Sequence, residues 1–190
     1  MVYYTSIMGG YDPPHGDVDV CIDERLYKGP PGLDIRRMSK HAKALPHLYF
    51  PDHEWSVFID GNKHVSRDRV MRYCRGRLQQ SRHRHGRVKR DLYDEAAVCI
   101  RLGLDDPGII MSQVVDYAQS GHPRGFGLWL CGFIVRRHHE LVELGEMWWD
   151  HIMRYSSRDM ISYQYCLWKL GIEPEEIPQR VCYVRRRHRV

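Results

Sequence analysis

Long hydrophobic runs are missing from this sequence, and no stretch approaches the ~18–20 apolar residues of a membrane-spanning helix. The N-terminus lacks the charged segment and apolar core of a secretory signal, because a strand-like run at 2–8 follows Met1 directly. Internal repeats and low-complexity segments are missing as well. These absences argue against a membrane-embedded or fibrous protein, and we expect a soluble chain in the cytoplasm.

Paired cysteines are also missing. The six cysteines, at positions 21, 74, 99, 131, 166 and 182, form no CxxC pair and stand at no short metal-ligand spacing from a histidine. Several lie inside apolar runs, such as 98–100 and 130–132. The pattern is typical of buried, reduced thiols, and a disulfide framework is the less favoured alternative because a chain of this length folds without one.

Acidic residues are outnumbered by basic ones, so that the formal net charge is +5. The excess is concentrated in two basic blocks, 82–90 and 185–189. Such blocks attract polyanions, including a nucleoside diphosphate, a nucleic acid or an acidic polysaccharide, but a solvated surface also explains them. The 190 residues, 43% of them hydrophobic, suffice for one domain with its own core.

Apolar runs that alternate with helical patterns predict a single α/β domain at 1–171, followed by a basic tail at 172–190. The segments expected as strands are 2–8, 17–22, 55–59 and 128–135. Helices are expected at 36–45, 67–80, 91–102, 107–119, 140–155 and 156–170. Several strands are apolar enough to be buried on both faces, which is typical of a sheet covered by helices.

Three of the expected strands end in turn or acidic residues, at Gly9-Gly10, Asp23-Glu24 and Asp60-Gly61-Asn62. In α/β sheets ligands bind beyond the carboxyl ends of the strands, so these turns mark a candidate site. Asp60 with Asn62 offers oxygen ligands to Mg²⁺ or Mn²⁺, and such a cation neutralises a diphosphate leaving group. A plain hairpin turn is the alternative interpretation, since Asp-Gly is common there.

Charged residues beside two later elements are further candidates. In Ser157-Arg158-Asp159 the carboxylate either favours a helix start or serves as the general base that accepts the acceptor's proton. Arg136 and His138 follow the apolar run at 128–135, where they either bind phosphate and metal or form a polar strand end at the surface.

Other polar residues allow two interpretations each. Glu95 holds the arginines of the neighbouring basic block or faces the sugar, and Gln113 contacts the sugar or belongs to an amphipathic helix face. Lys40, Lys43 and His47 lie around a helix that follows a Gly/Pro loop, where they contact phosphates or are ordinary surface residues.

Six segments then occur in a characteristic order along residues 2–171. They are 4–12, Lys43 with 45–47, 58–62 (Phe-Ile-Asp-Gly-Asn), 90–96, Gln113 with Tyr117, Gly121 and Pro123, and Trp148-Trp149 with 157–163. Together they resemble the TOD/MUCI-type glycosyltransferase-like family, which is known from plant cell-wall polysaccharide synthesis and is also found in bacteria and viruses. Two positions depart from the family's pattern, since Met160 replaces a glutamine and Asn62 stands where a second carboxylate is expected.

The resemblance implies a GT-A-like fold that binds a nucleotide-sugar donor, in the host cytoplasm if the chain is viral. It places Asp60 and Asn62, with His138, at the Mn²⁺ or Mg²⁺ ion. It also places Asp159, with Arg158 and Glu95, at the acceptor. The donor-binding residues that it implies are Thr5, Gly9, Gly10, Asp23, Lys43, His47, Asp60, Gln113 and Arg136.

The acceptor expected from this resemblance is a polysaccharide or another glycan. A second hypothesis is that a compact basic enzyme glycosylates a modified base in DNA, as some phage enzymes do, with the basic blocks along the phosphate backbone. A third is a nucleic-acid-binding protein without catalysis. Charge alone supports the third hypothesis, since no helix-turn-helix, zinc-finger, RRM or KH signature is present.

Overall fold

Runs of β-branched and aromatic residues form a central sheet in the computed structural model, which describes residues 1–12, 16–85, 88–89 and 91–184. The strands within these residues are Val2–Ser6 (β1), Val20–Ile22 (β2), Ser56–Ile59 (β3), Lys63–Val65 (β4), Leu78–Arg82 (β5), Arg84–His85 (β6), Val88–Lys89 (β7), Trp129–Arg136 (β8), Glu175–Glu176 (β9) and Cys182–Val184 (β10). Six of them form one sheet in the order β2-β1-β3-β8-β5-β9.

Seven α-helices accompany the strands in the described part of the chain. They are Ile35–Ala44 (α1), Pro46–Tyr49 (α2), Arg67–Met71 (α3), Leu92–Arg101 (α4), Pro107–Gln119 (α5), Val142–Arg154 (α6) and Asp159–Lys169 (α7). Short 3₁₀ helices lie at His138–Leu141 and Gln179–Val181. Aspartates cap several starts: the carboxylate of Asp34 accepts from the first turn of α1, that of Asp91 from α4, and that of Asp106 from α5.

The sheet is mixed, because β8 runs against its neighbours. β1 is parallel to both β2 and β3, whereas β8 pairs antiparallel with β3 on one side and with β5 on the other. In the register, Tyr4 lies opposite Phe58 and Phe133 opposite Ile59. The carboxyl ends of β1, β2, β3 and β5 therefore meet the amino end of β8 at one edge of the sheet. We call it the carboxyl edge.

Helices and strands cover both faces of the sheet. Apolar side chains of α1, α6 and α7 pack on one face around Trp148, which is fully buried. On the other face a second cluster joins β3 and β8 to Val65, Val70 and Val181. The expected α/β fold, a mixed sheet flanked by helices, is confirmed. No helix among the described residues is both long and apolar enough to cross a membrane.

Two segments differ from their sequence-based expectations. The helix expected at 67–80 ends at Met71, and 78–82 form β5 instead, since pairing with β8 and β9 overrides local helical propensity. The segment 172–184, expected to begin a basic tail, adds β9 beside β5 and β10 beside β4. Ile177 and Val181 bury their side chains there, so this segment belongs to the core. The rest of the tail, 185–190, lies outside the described residues.

Candidate active site

A buried lysine joins two aspartates at the carboxyl edge. The Nζ atom of Lys43, near the end of α1, lies 2.5 Å from an oxygen of Asp159 and 3.7 Å from an oxygen of Asp60. The lysine side chain is only 3% exposed, and its ammonium group packs against the rings of Phe58 and Trp148. Sequence analysis singled out all three charged residues, and the structure brings them together from three separate segments.

Burial and charge compete in this lysine–aspartate cluster. Burial disfavours the charge on Lys43, but attraction to Asp159 and then to Asp60 outweighs it and raises the pKa of Lys43 above its usual range. Burial likewise opposes the charge on Asp159, but Lys40, at 3.7 Å, and Lys43 hold the pKa of Asp159 well below its ordinary value. Both side chains are therefore charged at neutral pH. A carboxylate with so low a pKa is a poor general base, which weakens that interpretation of Asp159.

Hydrogen bonds fix the loop that presents Asp159. The carboxylate of Asp105 accepts from the hydroxyl of Ser156 at 2.8 Å and from the N–H and hydroxyl of Ser157 at 2.9 Å. The indole N–H of Trp148 donates to the carbonyl of Asp159 at 2.9 Å. These contacts hold the carboxylate of Asp159 against Lys43. They also explain the Ser-Ser-Arg-Asp pattern as a structural clamp at the start of α7.

Arg158 and Glu95 belong to a second, adjoining network. Glu95 is buried on α4 and accepts a weak hydrogen bond from the thiol of Cys99 at 3.7 Å. Arg158 interacts electrostatically with Asp159, Cys99 and Glu95. Both residues thus belong to the charged network next to Asp159. That either of them contacts an acceptor stays a prediction.

Asp60 is the carboxylate of the cluster that solvent reaches, with 39% of its side chain exposed. Its backbone N–H donates to the carbonyl of Gly132 on β8 at 3.0 Å, and its own carbonyl accepts from Lys63. A Cβ atom on residue 132 would overlap both Oδ2 of Asp60 and Nζ of Lys63. Gly132 therefore leaves the space in which this carboxylate and the second lysine meet.

The donors around Asp60 do not fit a divalent cation well. The oxygen ligands at this turn are the carboxylates of Asp60 and of Asp12, which lies against Gly61, and the exposed amide of Asn62. The ammonium groups of Lys43 and Lys63 lie beside the carboxylate of Asp60. Within the described residues, no group of three or more His, Cys, Asp or Glu side chains is arranged to hold a metal. Hard cations prefer several oxygen ligands, whereas adjacent ammonium groups repel them and attract anions.

His138, Arg136 and His47 lie away from Asp60, contrary to the sequence-based metal and phosphate hypotheses. Because β8 is antiparallel to β3, Arg136 pairs with Ser56 at the amino end of β3, while Asp60 follows its carboxyl end. The ring of His138 donates from Nε2 to the carbonyl of Phe50 at 3.1 Å, and burial lowers its pKa to about 4. His47 lies near Arg136 and His139 at the same end.

Arg136 has a structural partner in place of phosphate. Its guanidinium is buried and donates to the hydroxyl of Tyr4 at 2.9 Å and to the carbonyl of Lys43. It thereby caps the last turn of α1, where unpaired carbonyls favour a cation. Arg136 thus fixes the backbone of Lys43.

The turns after β1 and β2 lie at the carboxyl edge beside Asp60, as expected. Gly9 and Gly10 have φ angles of 65° and 62°, and the N–H of Gly9 donates to the carboxylate of Glu24. Asp23 accepts hydrogen bonds from the Arg25 side chain at 2.6 and 2.9 Å, and these lower its pKa. The hydroxyl of Thr5 is buried without a hydrogen-bond partner.

Gln113 is not brought to this site. It is fully buried on α5 and donates to the hydroxyl of Tyr117 at 2.9 Å, in a cluster that joins α4, α5 and α7. Sequence reasoning missed Lys63, and it considered Lys40 only as a phosphate contact or an ordinary surface lysine. Lys40 lies on the helix of Lys43, three residues earlier, and Lys63 follows the turn after Asp60. Only the fold shows that Lys40 lies close to Asp159 and that Lys63 lies close to Asp60.

Comparisons with known proteins point to one family. The family model described as "TOD1/MUCI70, glycosyltransferase-like domain" matches residues 20–185. Among solved structures, the chain is similar to a glycosyltransferase involved in the glycosylation of the major capsid of PBCV-1, with 10% identity and a TM-score of 0.41. That match covers 83% of this chain and 63% of the other, so the chain spans less than two thirds of its length. A likeness this distant carries no argument about the site. No curated protein matches the chain.

Proposed function

Because the chain belongs to the TOD1/MUCI70 glycosyltransferase-like family, we propose that it transfers a sugar from a nucleotide-activated donor to an acceptor hydroxyl. The observation that carries this proposal is the cluster of Lys43, Asp60 and Asp159 at the carboxyl edge. This is the edge of an α/β sheet at which nucleotides bind. A buried ion pair such as Lys43–Asp159 is costly for stability, and such groups gather at functional sites.

Lysines supply the positive charge that the leaving diphosphate requires in this proposal. Lys40 keeps 25% of its side chain exposed, and Lys63 is half-buried beside Asp60, so solvent reaches both side chains. Negative charge grows on the diphosphate as its bond to the sugar breaks, and fixed cations stabilise that charge. In this proposal Lys40 and Lys63 neutralise the diphosphate in place of a metal ion.

The two aspartates take different roles because their exposure differs. Asp159, with 12% of its side chain exposed, holds Lys40 and Lys43 in place and is a positioning residue. Asp60 is the accessible carboxylate, and it accepts hydrogen bonds from hydroxyl groups of the bound sugar. Lys43 acts through both, since it is too buried to touch a substrate itself.

A thermal-shift panel of nucleotide sugars, each with and without Mn²⁺, tests the proposal. Stabilisation by one donor is expected, and a ligand at 100 times its Kd adds about 2.7 kcal/mol to the free energy of unfolding. The shift should vanish in Asp60→Ala and shrink in Lys63→Ala, while Lys28→Ala, a lysine that bonds the Leu48 carbonyl, serves as the matched control. A panel without any shift would contradict donor binding.

An arginine-lined cavity favours DNA as a second candidate acceptor. Arg69, Arg72 and Arg180, with Tyr73 and Val181, line a cavity of about 240 Å³. Several guanidinium groups in one cavity can bind phosphate through charge-assisted hydrogen bonds. Binding to duplex DNA, followed by fluorescence anisotropy against salt concentration, should then weaken steeply with salt, and Arg72→Ala should reduce the slope by about 1. Weak, salt-insensitive binding would remove this candidate.

A further inference from the structure

A cavity with aromatic walls lies on the same face of the sheet as the candidate site. It is a cavity of about 340 Å³, within the range of small-molecule sites. Its walls include Arg82, Phe126, Trp129, Trp168 and Glu173. We call this cavity the aromatic groove.

The aromatic groove opens at the same carboxyl edge as Asp60. Trp129 begins β8 and stands three residues before Gly132, whose carbonyl bonds Asp60, so about 10 Å of strand separates them. α7 makes a second link, since Asp159 is its first residue and Trp168 lies in its last turn. Asp23, at the end of β2, lies on the opposite side of Asp60 in the strand order. A donor nucleotide over β2 and β1 therefore leaves the β8 and β5 side for the acceptor.

The floor of the aromatic groove is fixed before any ligand binds. Gln164 accepts from the backbone N–H of Trp129 at 2.9 Å and donates to its carbonyl at 3.0 Å. The guanidinium of Arg82 lies 4.5 Å from the centre of the Trp129 ring. Behind the groove the buried ring of His122 packs against the rings of Phe126 and Trp168. These contacts hold the aromatic walls in position.

The charges of the groove select an uncharged ligand. Arg82 is already paired with Glu173 at 3.0 Å and lies 3.9 Å from Glu176. The ammonium group of Lys169 lies 5.9 Å from the centre of the Trp168 ring. Two positive and two negative groups therefore balance around the groove. Phosphate and carboxylate groups would meet these two glutamates. Phe126 and Trp168 are half-buried, so part of each ring remains open. A sugar ring suits such a groove, because its apolar C–H face packs on an aromatic ring and its hydroxyls bond the charged rim.

We propose that the aromatic groove binds a neutral sugar unit of a glycan acceptor, beyond the unit that carries the reacting hydroxyl. The proposal rests on the glycosyltransferase function proposed above and names the class of its acceptor. Binding at this distance helps to hold the acceptor without touching the reacting atoms. The groove thus favours a glycan over DNA as the acceptor.

Saturation-transfer NMR with free trisaccharides tests the groove directly. The panel contains trimers of glucose, galactose, mannose, xylose and rhamnose, with trigalacturonate as an acidic trimer and a nucleoside as an aromatic competitor. We expect signal on the C–H protons of at least one neutral trimer. The signal should fall at least tenfold in Trp168→Ala and in Phe126→Ala. It should persist in Tyr183→Ala, which removes an exposed ring that stacks on His64 elsewhere.

Three results would overturn the proposal: no neutral trimer binds, trigalacturonate or the nucleoside binds better, or the signal survives both groove variants. Circular dichroism shows whether each variant is folded, and Phe126→Ala decides if Trp168→Ala is not. The donor thermal-shift panel is independent of the groove. If a trisaccharide binds but no donor gives a thermal shift, the groove proposal stands and the transferase proposal fails. If a donor gives a shift but no trisaccharide binds, the transferase proposal stands and the groove proposal fails.

Discussion

Removing the ammonium group of Lys43 should be among the most destabilising changes in this chain. In Lys43→Met the carboxylate of Asp159, 12% exposed, loses its partner at 2.5 Å and keeps Lys40 at 3.7 Å and the electrostatic interaction with Arg158. Breaking a buried pair by removal of one partner costs about 3–5 kcal/mol, because the other charge stays buried. For a chain of this size, that loss corresponds to a fall in Tm of about 6–20 °C.

The exposed pair Arg25–Asp23 is the matched control, since its distance of 2.6 Å is nearly the same and the Arg25 side chain is 89% exposed. Arg25→Met should cost far less than Lys43→Met, because water screens an exposed ion pair. Urea unfolding of both variants measures the two losses. A second variant that replaces both buried partners, Lys43→Met with Asp159→Leu, should recover much of the stability. A loss below about 1 kcal/mol in Lys43→Met would refute the reasoning, because the pair would then behave like a surface pair.

The pH dependence of stability follows from the same pair. The pKa of Asp159 is depressed, so its contribution is present above the unfolded value of about 3.9 and is lost as pH falls toward the folded value. The pKa of Lys43 is raised, so its contribution is present below about 10.4 and is lost as pH rises above it. Stability from the pair should therefore be constant between about pH 4 and 10 and should fall on both sides. The double variant should lack these two losses.

Other variants separate structural residues from those that bind substrate. Gly132→Ala should abolish the donor thermal shift in a folded protein, because the added Cβ displaces Asp60 and Lys63; an unchanged shift would contradict this geometry. Arg136→Met should lower the free energy of unfolding by about 1.5–3 kcal/mol for each of its two hydrogen bonds, to Tyr4 and to the Lys43 carbonyl, and leave donor affinity nearly unchanged. A much weaker donor affinity, by isothermal titration, would restore its phosphate role. His138→Asn should leave any response to Mn²⁺ as it was, and a lost response would reinstate the histidine as a ligand.

Local sequence patterns predicted the part of the site that lies within single segments. The strand before Asp60 ends in a turn because apolar residues give way to Asp-Gly-Asn, and the structure ends β3 there. The helix expected from 156 begins at Asp159, whose carboxylate in the first turn favours a helix start. The two serines before it bond Asp105 and do not cap the helix. The turn at Gly9-Gly10 follows from two glycines, both of which adopt positive φ angles.

Patterns within one segment could not predict the direction of β8 or the pairing of distant charges. An apolar run predicts a buried strand but not which way it runs, and the antiparallel direction removes Arg136 and His138 from Asp60. Lys43 and Asp159 are 116 residues apart, and only the packing of α1 against α6, and of α6 against α7, brings them together. The strand at 78–82 was expected as a helix because its pairing partners, β8 and β9, lie far along the chain.

Release of nucleoside diphosphate from the donor that stabilises the chain tests the central claim most directly. Chromatography would follow the release in excess EDTA, with water or the hydroxyl of an added neutral trisaccharide taking the sugar, for the unmodified protein, Asp60→Ala and the control Lys28→Ala. The account predicts release by the unmodified protein and by the control, and its loss in Asp60→Ala. Release that persists in Asp60→Ala, or that requires added Mn²⁺, would contradict a site in which lysines hold the diphosphate beside that carboxylate.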